Sequence, residues 1–173
     1  GHFMDNPLSN ILRFGDPRLK QVCDTIMDGM IDDGEVEQLL RTLHAFRAHH
    51  GWGRAISACQ VGIMKRMIAV HLDGKDHVLV NPEIIWKSHG MTEVWDDCMS
   101  MPEIAVRVRR HDSISLSYIN LDGQPCAFER VDFDVSELLQ HEMDHLDGII
   151  MTDRMCAGSL VVAHENRHLL ERA

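Results

Sequence analysis

The pentapeptide His141-Glu142-Met143-Asp144-His145 constrains this chain more than any other feature, because on a helix it sets two imidazoles and a carboxylate on one face. Leu138, His141, Glu142 and His145 fall at i, i+3, i+4 and i+7, so the stripe that should be apolar carries three ionisable groups. Burying them without partners would cost on the order of several kcal/mol, and coordination of a divalent metal removes that cost. Asp134 and Ser136 are expected N-caps and Gly148 the expected stop of this helix. The competing reading is a solvated histidine-rich face, since the chain holds 12 His and HxxxH pairs then arise by chance.

Two imidazoles leave a tetrahedral catalytic site one protein ligand short, because such sites have three ligands and an open position. The longer protease pattern HExxHxxGxxH would place that ligand at residue 151, which is Met. Glu165 is a distal carboxylate candidate with nothing around it that singles it out. Upstream, Cys98 sits in the polar, turn-like run Trp95-Asp96-Asp97-Cys98-Met99-Ser100.

Three motifs in order resemble the peptide deformylases. The third motif of that family, QHExxHLxG, is intact as Gln140-His141-Glu142-Met143-Asp144-His145-Leu146-Asp147-Gly148. The second, EGCLS, is recognisable as Asp96-Asp97-Cys98-Met99-Ser100, and the Gly-rich first motif ending in AxQ as Gly53-Arg54-Ala55-Ile56-Ser57-Ala58-Cys59-Gln60. The similarity extends from about residue 11 to about residue 155 and includes Phe14-Gly15-Asp16-Pro17-Arg18-Leu19 as the leading segment. Several positions depart from the pattern. Asp97 stands for Gly, Asp96 for Glu, Ala55 for a Gly, Ser57 for Ala, and Arg54 for an apolar residue.

The resemblance implies a metal-dependent hydrolase that removes the N-formyl group from N-formylmethionyl peptides and releases formate, in the N-terminal processing of nascent proteins. It implies that Cys98, His141 and His145 hold one divalent ion, with Fe(II) favoured and Zn(II) or Ni(II) as alternatives. It further implies Glu142 as the proton-transferring base, and Gln60 with the Met99 backbone N–H as donors to the developing oxyanion. Gly53, Arg54, Ala55, Ile56 and Asp97 are expected to line the peptide groove. Two other readings stay open: the same chemistry redirected to another N-formyl or N-acyl compound, or a catalytically silent metal- or peptide-binding module. An ordinary zinc endoprotease is a fourth, and intact-peptide cleavage without formate would mark it.

A net charge of −10 excludes a general phosphate-binding surface, which needs excess Lys and Arg, so no specific nucleic-acid partner is expected. Arg107, Arg109 and Arg110 read as a solvated strand face, with one of them able to pair with Asp96. Five Cys without a CxxC pair are no disulfide framework, and reduced thiols point to a cytoplasmic enzyme. No apolar run reaches the length of a membrane span, and no signal-peptide pattern is present. Gly1-His2-Phe3 reads as an appended remnant ahead of Met4.

The 173 residues suit a single domain of α+β class: antiparallel sheets packed around the central HExxH helix, with an N-terminal and a C-terminal helix. The N-terminal helix is expected over residues 35–50, with Val36, Leu39, Leu40, Leu43 and Phe46 on its apolar face. Strands are expected over 67–72, 78–81, 84–86, 104–108, 114–119 and 127–133. Leu121-Asp122-Gly123-Gln124 supplies a hairpin turn, and Asn81-Pro82 interrupts a run. A helical tail is expected over 159–173, from the recurrence of Leu160, Val161, His164, His168 and Leu169. Its two Arg against two Glu argue against an electrostatic ribosome anchor and for packing on its own domain or on a homodimer partner.

Overall fold

The structure is a computed structural model that describes residues 6–170. The first helix, α1 (Asp33–His50), starts where the Asp32 carboxylate accepts the Glu35 N–H at 3.1 Å and ends where Gly51 turns left-handed at φ 74°. Val36, Leu39, Leu43 and Phe46 are buried along one face, as their spacing predicts.

Five strands form the larger sheet, in the order β1 (Ala55–Ser57), β2 (Met67–Leu72), β3 (Lys75–Lys87), β6 (Ile114–Ile119) and β7 (Pro125–Phe128), all neighbours antiparallel. Side chains alternate across it. Met67 and Ala69 of β2 join the cluster built on Leu39, Leu43 and Phe46 of α1. Ile68 and Val70 join Leu138, Leu139 and Leu146 of the second helix, α2 (Phe133–Leu146). The sheet is therefore covered by one helix on each face.

A smaller sheet, β4 (Met91–Asp96), β5 (Ile104–His111) and β8 (Val161–Val162), packs on the far side of α2, which contacts both β1 and β5. From Ser136 to Met143 every residue of α2 is buried, so its polar groups must find internal partners. Gln140 does so as a clamp on β5: its Oε1 accepts from His111 N at 2.9 Å and its Nε2 donates to His111 O at 2.9 Å. Ser136 Oγ donates to the same carbonyl at 2.8 Å, so Ser136 braces the helix interior and does not cap it. The N-cap is Asp132, whose carbonyl accepts from Val135 and Ser136 N–H; Asp134 lies in the first turn.

Other expectations need correction. Residues 78–81 and 84–86 belong to one strand, which continues through Asn81-Pro82 by bulging. Asn81 adopts φ 49° there and exchanges side-chain hydrogen bonds with the Ile26 backbone at 2.9 and 2.8 Å. The last predicted strand ends at Phe128, because Phe133 already opens α2. The run expected to be turn-like from Trp95 is strand as far as Asp96, held by pairing with Val106 on β5.

The C-terminal helix is not formed over the described residues. Val161 and Val162 instead pair with Ala105 and Ile104, and Ala163 N–H donates to Glu103 O at 2.9 Å. The open edge of β5 offers hydrogen bonds to two adjacent β-branched residues, and this outweighs an approximate helical spacing. A short 3-10 turn, Arg167–Leu169, follows, and Leu170 is buried against Ala105 and Ala163. The reading of residues 1–3 and the end of the expected tail fall outside the described residues.

Candidate metal centre

Cys98, His141 and His145 bring one ligand atom each to within 4.8 Å of one another, and all three are buried. The HExxH spacing on α2 places the two rings 5.0 Å apart. Cys98 lies two residues past the end of β4, and its Sγ lies 3.3 Å from His145 Nε2. His145 Nδ1 is buried without a hydrogen-bond partner. Burial holds this imidazole well below its usual pKa, with neighbouring His141 adding to the effect, so it presents a neutral nitrogen. Cys98 Sγ and His145 Nε2 face each other, and a thiol that can ionise beside a neutral imidazole nitrogen is a donor pair that a transition ion accepts. The donor set fits a divalent transition ion.

His141 is oriented from behind. Its Nδ1 donates to Asp96 Oδ2 at 2.8 Å, which leaves Nε2 for the ligand position. Arg110 Nη2 donates to the same Asp96 oxygen at 3.0 Å, and its Nη1 to Asp144 Oδ2 at 2.6 Å. Burial pushes the Asp96 carboxyl up, but His141 and Arg110 outweigh it and hold the group down at about 2. Thus Asp96 stays ionised. Arg110 is only 2% exposed, contrary to a solvated arginine face. It alternates inward with Val106 and Val108 on β5, while Arg109 points out and Arg107 pairs with Glu93 at 3.2 Å.

Glu142 is 4% exposed, and burial raises its carboxyl above the usual range, against the lowering effect of His141 and of Ser57. Ser57 Oγ donates to Glu142 Oε1 at 2.9 Å, a bond that Ala, the residue usual there in the resembled family, could not make. Gln60 sits in a 3-10 turn, Ala58–Val61, that begins at Ser57. Its Oε1 accepts from Ser57 N at 2.9 Å, which turns Nε2 toward Ser100 Oγ at 3.0 Å and Cys98 Sγ at 3.6 Å. The leading segment ties the two motif loops together: Leu12 N–H donates to Gln60 O at 2.7 Å and Phe14 N–H to Ser100 O at 3.2 Å.

These groups open on a cavity of about 480 Å³ lined by Gly53, Arg54, Ala55, Gln60, Asp97, Cys98, Met99, His141 and Glu142, among others. Gly53 has φ +105°, a conformation that L side chains rarely adopt, so this position favours glycine. Gly148 is restricted by space as well, since at φ +73° a Cβ would lie 2.7 Å from the Lys20 backbone. Ile56, expected in the groove, is instead fully buried in the core beneath it, because strand alternation turns it away from Ala55. Glu165 is exposed and takes no part. The low exposure of His141, Glu142 and His145 also disposes of the solvated-face reading.

Several pocket residues carried no signal in the sequence. Trp52, Arg47 and His50 arrive from the end of α1 and the loop after it, and Arg167 from the C-terminal segment. Arg167 lies 4.2 Å from the Trp52 ring centroid and forms an ion pair with Asp97. Arg54 Nη2 pairs with Glu137 at 2.7 Å. Three of the departures from the family pattern, Arg54, Asp96 and Asp97, are thus engaged in ion pairs along the wall of the cavity.

Residues 8–159 match the family model described as polypeptide deformylase. Curated relatives include peptide deformylase 1 of Ralstonia nicotianae, 31% identical over 96% of this chain and 98% of that protein. The peptide deformylase of Brachyspira hyodysenteriae is 29% identical over 86% of this chain and 81% of its own length. Among solved structures, the peptide deformylase from Thermotoga maritima superposes with a TM-score of 0.76 at 28% identity, covering 90% of this chain and 99% of that one.

Proposed function

Because the chain belongs to the polypeptide deformylase family, we propose that this pocket removes the formyl group from N-formylmethionyl peptides during maturation of nascent proteins, releasing formate and a free amino terminus. The observation that carries the reading is the convergence of Cys98, His141 and His145, with Cys98, His141 and Glu142 lining the cavity. The protein is a metalloenzyme, and these three residues would hold its ion. When bound, a divalent ion supplies Lewis acidity and makes water nucleophilic near neutral pH. Fe(II) is our assignment for the native metal, with Zn(II) or Ni(II) as substitutes that a thiolate and two imidazoles also accept.

The remaining work falls to the chain's own groups. Glu142 takes the proton of the attacking water on its carboxylate and returns it to the departing amine, and its raised pKa suits that exchange. Gln60 Nε2 and the Met99 N–H donate to the formyl oxygen as it gains charge, with the Gln60 amide fixed by Ser57 N–H. β1 is an edge strand of the larger sheet, so an extended peptide can add beside it and run past Gly53, Arg54 and Ala55.

Coupled detection of formate from formyl-Met-Ala-Ser, after anaerobic loading with Fe(II), tests substrate and metal together. Turnover supports the assignment. Loaded protein that releases no formate from this peptide, yet does so from another N-formyl compound, would favour a second reading. That reading, a redirected substrate, is supported by the Arg167–Asp97 pair beside Trp52, which puts a charged pair on the cavity wall.

The five cysteines are all free, which supports a reducing compartment such as the cytoplasm. Among the described residues no helix is long and apolar enough to cross a membrane. Packing of Leu170 and Ala163 on the domain favours an internal role for the C-terminal segment over ribosome docking. A homodimer through the exposed Leu160 and Val162 is open to test by sedimentation.

A further inference from the structure

Away from the cavity, a second set of metal-ligating side chains converges. His44 of α1, His71 of β2 and Asp76 of β3 each offer one ligand atom, all within 4.8 Å of one another. None of them lines the cavity. We propose that these three residues form a separate surface site for a transition-metal ion of the zinc, nickel or copper(II) class.

The geometry comes from three different elements. His71 and Asp76 are direct partners in the β2–β3 ladder, so the hairpin itself sets two of the ligands side by side. His44 reaches them from the helix that covers this face of the sheet, with its ring edge-on to His71 at a centroid distance of 5.6 Å. Both imidazoles address the one carboxylate. His44 Nε2 lies 2.7 Å from Asp76 Oδ2, and His71 Nδ1 2.8 Å from Oδ1. One divalent ion would take the place of the two bridging protons, with the same three side chains as its ligands.

Metal–ligand distances of about 2.0–2.2 Å require donor atoms roughly 3–3.5 Å apart in a tetrahedral site. The two contacts of 2.7 and 2.8 Å to the Asp76 carboxylate open to that by small side-chain rotations, which the exposure of the His44 and Asp76 side chains, 46% and 36%, permits. Two imidazoles with one carboxylate disfavour calcium and magnesium, which select oxygen ligands. Three protein ligands leave the remaining positions to water. Binding would staple α1 to the β2–β3 hairpin, so it should stabilise the fold.

The test uses the holoenzyme with the Cys98 site already filled. Calorimetric titration with Zn(II), followed by elemental analysis after dialysis, should show about two ions per chain for the parent and about one for His71→Ala and Asp76→Asn. The second binding event should weaken about tenfold or more in each variant. Zinc should raise the thermal midpoint of the parent and not of Asp76→Asn. Cys98→Ser, by contrast, should lose the buried ion and keep the surface event. Equal ion counts and equal affinities in parent, His71→Ala and Asp76→Asn would overturn the proposal and leave the triad as two ordinary surface ion pairs. Failure of this site leaves the deformylase reading untouched, since the two share no residue.

Discussion

His141 donates from Nδ1 to Asp96, and that single bond at 2.8 Å decides which ring nitrogen faces Cys98 and His145. Replacing Asp96 by Ala should therefore lower metal affinity by about 10- to 100-fold, although Asp96 is not a ligand. Competition with a chelator of known affinity measures this. Unchanged affinity would mean that packing alone orients the ring.

Arg110 is buried between two carboxylates, Asp96 and Asp144, at 3.0 and 2.6 Å. Arg110→Met leaves both acids without their shared cation, and should destabilise the fold by about 3–5 kcal/mol. Urea unfolding with the metal content matched is the check. A loss below about 1 kcal/mol would show that Arg154, which also pairs with Asp144, and His141 suffice.

Glu142→Ala removes proton transfer but no ligand. Turnover should fall by roughly 10²- to 10⁴-fold while the ion stays bound. Elemental analysis decides between this and a ligand role: loss of metal along with activity would reassign the residue.

Cys98→Ser should lower both metal occupancy and rate, because a neutral hydroxyl is a poor substitute for thiolate. Full occupancy and full activity in this variant would require another third ligand.

Asp97 and Arg167 act as a pair at the cavity wall, where Arg167 also covers Trp52. Burial raises the Asp97 carboxyl above its ordinary range, and Arg167 only partly offsets this, so the pair is held at some cost. Asp97→Gly and Arg167→Ala should each raise kcat/KM on formyl-Met peptides by roughly three-fold, and the double variant should gain little more than either alone. Additive gains would show that the two residues obstruct the peptide independently. A loss in both would mean that the pair belongs to recognition of the native substrate.

The chemistry of the centre was legible in local sequence, because helical periodicity alone brings residues 141, 142 and 145 to one face, and the resemblance to the peptide deformylases supplied Cys98, Gln60 and Gly53. The α1 face and the β2 and β6 boundaries were legible for the same reason. What depended on tertiary structure were choices between two locally acceptable states. Val161 and Val162 could serve a helix or a strand until β5 offered an open edge. Arg110 could face water or the interior until α2 brought Asp144 to meet it. Ile56 read as groove lining until alternation in β1 turned it into the core. Most of all, Arg167 lies 70 residues from Asp97, and only the return of the C-terminal segment along β5 places its charge at the cavity wall. Period and motif are written in neighbouring residues, whereas the pairing of charges across the chain is set by which edges and faces the folded sheets leave open.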